Sequence, residues 1–298
     1  MSLTRLAIKI DVDTRRGAVE GVPRLRDILA SRRVPASFFF SLGPDNSGRA
    51  LARVFTRKGF LAKMIRTGAP SAYGLRTLCY GTLLPAPIIG RGLGPLAREL
   101  DRAGHELGLH AWDHVAWHDR LWKMRDEEVE AEVARGIAAF EAFAGRRPQG
   151  FAAPAWRVSP AAARALSRAG LLYLSGVRGR FPFRPRFDGR AEALPEIPTT
   201  LPTADEVLGR NGVGRDDLAG FFLKEIEAPG LHVLTVHAEL EGLGLAGFFD
   251  RFLAACRDRG VEFIRLIDLA RGLTDLPEIE VIKKEIPGRA GRVSHQGP

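Results

Sequence analysis

Two short stretches hold residues able to bind a cation and to move protons. "IDVDT" places Asp11 and Asp13 at i and i+2, and "GLHAWDH" places His110 and His114 at i and i+4, with Asp113 beside the second. Carboxylates two apart on a regular strand share a face. Two like charges that close are unfavourable unless a cation lies between them or one keeps a proton. Alone, an Asp-x-Asp also suits a surface turn. Histidines four apart meet on one side of a helical turn and can grip one metal ion, although such a pair is also found as ordinary structure. With Asp13 they make a facial set of two imidazoles and one carboxylate, leaving positions open for water and substrate. One divalent ion is expected there: zinc suits the set, as do cobalt, nickel, manganese and iron. His237 closes the stretch "LTVH" and is one of only seven histidines. It either protonates a leaving amine at the same mouth or is a buried structural histidine.

These residues need a scaffold that brings them to one end. "LTRLAIKIDVD" alternates as a strand, and "EGVPRLRDILASRRV" follows with apolar residues at helical spacing. "PASFFFSLG" has the apolar run of a strand buried on both faces. Helix and strand then continue to alternate. "GPLARELDRAG", "RDEEVEAEVARGIAAFEAFAG", "SPAAARALSRAG", "RDDLAGFFLKEIEA" and "AGFFDRFLAACRDRG" read as helices. "ELGLHA", "QGFAAPAW", "LLYLSG", "LHVLTVHAE" and "VEFIRL" read as strands. That order predicts an α/β parallel sheet, and about seven strands favour closure into a barrel with its chemistry at the carboxyl ends of the strands. Asp11, Asp13, His110 and His237 all fall at or just past predicted strand ends.

The 298 residues are expected to form one catalytic barrel over 1–273 and a charged, Gly-rich, solvated tail over 274–298. Within the barrel, residues 47–92 break the alternation. This insertion is apolar and basic: Phe55, Phe60, Leu61, Met64 and Ile65 are interleaved with Arg53, Arg57, Lys58, Lys63 and Arg66. Such a mixture suits helices lying on an anionic membrane surface, or else a lid or a contact between copies. The net charge of +9 attracts anions in general, but no motif focuses it on nucleic acid, and no nucleic-acid partner is expected. Cys79 and Cys256 stand in apolar surroundings and read as two buried free thiols of a reducing compartment. The short apolar start is not expected to act as a signal peptide, and no run approaches the roughly 20 residues needed to span a bilayer. The expected location is cytoplasmic.

The combination of Asp-x-Asp after the first strand, His-x3-His after the third and a late "LTVH" resembles the NodB, or polysaccharide deacetylase, family. The resemblance implies a distorted (β/α)7 barrel that hydrolyses amides of acylated amino sugars. It implies Asp11 as general base, Asp13, His110 and His114 as metal ligands, and His237 as general acid. "IDVDTRRGAVEGVPRL", "FFFSLGPDNSGR", "ELGLHAWDHVAWH", "IPTTLPTADEVLGR" and "HAELEG" further resemble that family's lipid-sugar deformylase branch. The branch implies a formamide on an undecaprenyl-phosphate-linked 4-amino-4-deoxy-L-arabinose, a role in lipid A modification and polymyxin resistance, and peripheral work on the inner face of the cell membrane. The alternatives are a deacetylase of another N-acylated amino sugar and a catalytically silent sugar- or lipid-binding relative.

Two positions depart from the family pattern. Ala152 of "FAAPAWR" stands where the family carries an arginine that orients the base, and Arg157 or Arg178 is expected to reach in instead. Gly176 replaces an aspartate frequent in the branch. Trp156, Arg157, Arg178 and Glu239 are the candidate substrate contacts, with core packing or solvation as the alternative. Asp113 is expected to orient a ligand histidine or to be a turn residue, and His105 and His118 to lie on the surface.

Overall fold

The computed structural model describes residues 3–52 and 74–298. Its first half alternates strands and helices. They are β1 (Thr4–Val12), α1 (Val22–Arg32), β2 (Ser37–Ser41), α2 (Leu75–Cys79), α3 (Gly94–Arg102), β3 (Glu106–Ala111), α4 (His114–Arg120), α5 (Asp126–Ala144), β4 (Gly150–Phe151), α6 (Pro160–Arg168) and β5 (Tyr173–Leu174). Two short strands follow, β6 (Arg184–Phe187) and β7 (Arg190–Ala191). Then come α7 (Ala204–Val207), α8 (Leu218–Glu225), β8 (Gly230–His237), α9 (Ala246–Asp258), β9 (Glu262–Phe263), α10 (Leu266–Arg271), β10 (Glu278–Glu285) and β11 (Arg292–Gln296). The helix ends obey local chemistry. Ser159 caps α6 by accepting the Ala162 N–H, with Pro160 in the first turn, and α5 stops at Gly145 with φ 71°.

The main sheet is parallel, in the order β5-β4-β3-β2-β1-β8, with β9 pairing the first half of β1. It curls into a distorted barrel. The gap between β5 and β8 is filled by residues 195–201: Ile197 N–H donates to Leu174 O, and Thr200 N–H donates to Val233 O. Alternation along each strand separates two cores. Leu6, Ile8, Ile10, Phe38, Phe40, Leu107, Leu109, Leu234 and Val236 pack outward under the helices. Ala7, Phe39, Ala152, Tyr173, Ile197 and Val233 fill the barrel interior. Gly108 lets the Phe39 ring lie across β3, since a Cβ there would come within 2.4 Å of that ring. The amino-terminal end is plugged by Glu106, which accepts hydrogen bonds from Ser37 Oγ, Tyr173 OH and the Ile267 N–H.

The tail differs from expectation. β10 and β11 join β6 and β7 in a second sheet ordered β11-β10-β6-β7, and Val293, Ser294 and Gln296 are buried. Its charges misled the reading because they are paired or lie on the outer face: Arg186 of β6 sits 3.7 Å from Glu278 of β10. His105 is likewise buried rather than surface-exposed, its Nδ1 accepting the Ala36 N–H. Cys256 is buried but Cys79 only partly so. Of the insertion, residues 53–73, with the proposed apolar and basic faces, lie outside the described residues. Its flanks are tied to each other, Gly48 N–H donating to Tyr80 O, and to the loop after β2, Asp45 N–H donating to Pro87 O and Ile89 N–H to Gly43 O. Among the described residues, no helix is long and apolar enough to cross a membrane.

Candidate active site

Asp11 and His237 lie side by side in the register of β1 and β8. Asp13 follows one residue beyond β1. His110 is the penultimate residue of β3, and His114 opens α4. The histidine pair is therefore not on one helical turn, as its spacing suggested. Ala111, with φ 127°, turns the chain out of the strand so that strand end and helix start face each other, and the two rings stack with centroids 5.4 Å apart.

The ligand atoms converge on Asp13. His110 Nε2 is 3.2 Å from its Oδ1, and His114 Nε2 is 3.4 Å from its Oδ2. One donor atom from each of Asp13, His110 and His114 lies within 4.8 Å of the others. Burial alone would raise the Asp13 carboxyl, but His114, His110 and His237 around it hold it far below the ordinary carboxylate range. Asp11 Oδ1, Asp13 Oδ1, His110 Nδ1 and His237 Nδ1 are all buried without a hydrogen-bond partner. Buried polar atoms are normally satisfied, so a cluster of orphans around two imidazoles and a carboxylate fits a divalent cation and a polar substrate group.

Other groups fix this geometry. Glu239 lies beneath the loop after β1, where its Oε1 accepts the N–H groups of Asp13 (2.9 Å) and Thr14 (2.7 Å) and the Thr14 hydroxyl. Burial and the nearby Asp13 push the Glu239 carboxyl well above its usual value. Glu239 is thus a brace for a ligand loop, not a sugar contact at the mouth. Glu241, raised to about 7 by burial against the pull of His237, accepts the His237 N–H at 2.7 Å.

Several expected residues are placed differently. Asp113 caps α4 by accepting the Ala116 N–H and also takes the Asn46 side-chain N–H, so it holds the start of the helix that carries His114. Trp156 is 2% exposed. Its Nε1 donates to Thr199, its edge meets His237, and Lys9, Arg178 and Arg289 lie over it, so it is a strut rather than an open sugar platform. Arg157 donates to the His118 carbonyl and stacks on Trp122. Arg178 forks onto Glu206. Neither arginine reaches Asp11.

The cation beside Asp11 is instead Lys9, which the sequence reading missed. Its Nζ lies 3.6 Å from Asp11 Oδ2. A lysine inside the otherwise apolar run "LAIKI", two residues before Asp11 and so on its face of the strand, was the available signal.

The polysaccharide deacetylase family model matches residues 7–174. The chain is also 38% identical, over 99% of its length and 95% of the relative's, to a protein of Shewanella sediminis (strain HAW-EB3) named "Probable 4-deoxy-4-formamido-L-arabinose-phosphoundecaprenol deformylase ArnD". The chain belongs to the polysaccharide deacetylase family. A protein of the same name from Wigglesworthia glossinidia brevipalpis is 34% identical, covering 94% of this chain and 98% of that one. Among solved structures, a "putative polysaccharide deacetylase" from Mycobacterium smegmatis superposes with TM-score 0.62 at 20% identity, covering 96% of both chains. The Xyl-CE4 domain of a multidomain xylanase, from the hindgut metagenome of Trinervitermes trinervoides, superposes with TM-score 0.53 at 12% identity, covering 91% of this chain and 93% of that one. At these identities they support the distorted (β/α)7 barrel fold alone.

Proposed function

We propose that the chain is a metal-dependent amide hydrolase that removes formyl from 4-formamido-4-deoxy-L-arabinose linked to undecaprenyl phosphate, a step of lipid A modification. The observation that carries this reading is the convergence of Asp13, His110 and His114 beside the Asp11–His237 pair, in a chain 38% identical along nearly its whole length to a protein named for that reaction. Asp13, His110 and His114 would hold the ion, and zinc is the ion we favour for two imidazoles and a carboxylate. Bound there, a divalent ion supplies Lewis acidity to the formamide oxygen and acidity to the attacking water.

The chain's own residues do the rest. Asp11 offers the unpartnered Oδ1 to the proton that water must lose as it adds to the formyl carbon. His237, half-buried and held at its backbone by Glu241, gives a proton to the sugar nitrogen as the carbon–nitrogen bond breaks. Water and formamide thus become formate and a free amine. Residues 47–92 are proposed to rest on the anionic inner face of the cell membrane, where a lipid-linked substrate is presented.

The test is formate release from the formamido-arabinose lipid by zinc-loaded protein, with and without chelator. Release abolished by chelator is expected. Asp11→Asn is expected to keep the metal and lose rate, and His110→Ala to lose both. Acetate from an N-acetyl sugar, with no formate from the lipid, would move the substrate to another amino sugar. A metal-loaded protein that releases neither acid would refute the hydrolase reading.

A further inference from the structure

We infer that Lys9 is the positioning residue for Asp11, and that Glu196, on the segment closing the barrel, is the carboxylate that balances Lys9 across the Ser175–Gly176 peptide they share. The inference rests on the proposed role of Asp11 as base.

Lys9 is completely buried in the barrel interior. Removing an ammonium from water costs several kcal/mol unless it is well paired, so its surroundings must supply partners. Its Nζ donates to Ser175 O at 3.0 Å and lies 3.6 Å from Asp11 Oδ2. Desolvation lowers the Lys9 ammonium, and Asp11 and Glu196 are the charges that counter it. Glu196 is as deeply buried. Its Oε1 accepts the N–H groups of Gly176 and Val177, and its Oε2 has no hydrogen-bond partner.

The arrangement divides the Asp11 carboxylate. Oδ2 is turned to Lys9, while Oδ1, without a hydrogen-bond partner, faces His110 Nδ1 at 3.9 Å. One oxygen is held and the other is presented to the site. No other lysine or arginine makes an ion pair with Asp11 among the described residues. Ala152, directly after β4, brings no charge into the interior cluster. A carboxylate cannot enter from position 176 either, because a Cβ on Gly176 would stand 2.6 Å from Val158 Cγ2 and 3.0 Å from Ala153 Cβ. Burial raises the Glu196 carboxyl to about 7 against the pull of the Gly176 and Val177 N–H groups and Lys9, and in its ionised form it supplies the negative charge from the neighbouring segment, through the backbone of the same Gly176.

A base displaced by about 1 Å loses on the order of 100-fold in rate. Lys9→Met is therefore expected to lower kcat by about 100-fold, with KM and bound metal unchanged. Lys9→Arg, which restores a cation, is expected to recover part of the loss. Glu196→Gln keeps an acceptor for the Gly176 and Val177 N–H groups while removing the charge. It is expected to lower kcat less than Lys9→Met, and to add nothing in the double variant, since both changes release the same carboxylate. A merely structural pair would lower stability and leave the kcat of the folded protein unchanged. Wild-type kcat in Lys9→Met, or full additivity in the double variant, would overturn the inference. If Lys9→Met does not fold, Glu196→Gln decides alone: an unchanged kcat overturns the inference. Absence of formate release from the wild type would sink the functional reading only. A crystal structure of folded Lys9→Met, or otherwise of Glu196→Gln, then decides: a rotated Asp11 carboxylate supports positioning by Lys9, and an unmoved one overturns it.

Discussion

Truncating Glu239 to Ala should weaken metal binding although Glu239 is not one of the three ligand residues. In the folded chain Glu239 Oε1 is the acceptor for two backbone donors, Asp13 N–H and Thr14 N–H, and for the Thr14 hydroxyl. The hydroxyl can turn elsewhere, but the two amides are fixed by the loop. Each buried donor left unmade costs about 1–3 kcal/mol, so the pair costs about 2–6 kcal/mol, toward the lower figure if water enters the vacated space. The loop that presents Asp13 then relaxes, and loss of such a supporting contact lowers metal affinity by about 10–100-fold. Gly17 shows how tightly the brace is seated, since a Cβ there would fall 2.2 Å from Glu239 Oε1. Gly17→Ala should therefore damage the same loop, and its effect should shrink when combined with Glu239→Ala. Glu239→Gln retains the acceptor and should stay close to wild type. Zinc affinity is measured by competition with a chromophoric chelator, and the stability of the metal-free protein by urea unfolding in excess chelator. If Glu239→Ala binds zinc as tightly as the wild type, the claim that this carboxylate holds the ligand loop is wrong.

Two further outcomes test the scaffold. Burial, aided by Arg265, lowers the His105 imidazole to about 4 from 6.5, and protonating Nδ1 would destroy its bond from the Ala36 N–H. The unfolded chain thus binds more protons between those values. His105 contributes stability that is complete above pH 6.5 and is lost as pH falls to about 4, a span worth about 3 kcal/mol. His105→Asn, which keeps an acceptor, should lose less stability than wild type between pH 7 and pH 5 in urea melts; parallel losses would contradict the shift. Deleting residues 278–298 exposes the pocket of Val293, worth about 1.5–3 kcal/mol, and removes the Ser294 hydroxyl that accepts the Val158 N–H. The melting temperature should drop by several degrees, whereas a solvated tail would leave it unchanged.

The sequence exposed those parts of the site that depend on local pattern, and hid those that depend on closure. Asp11, Asp13, His110 and His237 were readable because strand ends are marked by the switch from an apolar alternation to polar residues, and parallel strands deliver their ends to one mouth. The barrel followed from the repeated strand–helix order. What distinguishes Glu239 from Glu241, or Arg157 from Lys9, is which side of a tight loop or strand each enters from. That is fixed by contacts across 226 residues in the pairing of Glu239 with Asp13, and by the segment that closes the gap between β5 and β8. The arginines after Ala152 looked like natural partners for the base because they follow the position where the family carries its arginine. Lys9 lies only two residues from Asp11 and on the required face, but a lysine within an apolar strand reads as a flaw in the pattern. Its burial becomes intelligible only once β5, Glu196 and Asp11 surround it. Conflicts between residue type and local pattern, such as a lysine in an apolar strand, therefore mark where tertiary contacts and function override propensity. The tail shows the limit of this rule: its charges conflicted with nothing locally, and only pairing of β10 with the distant β6 makes it part of the fold.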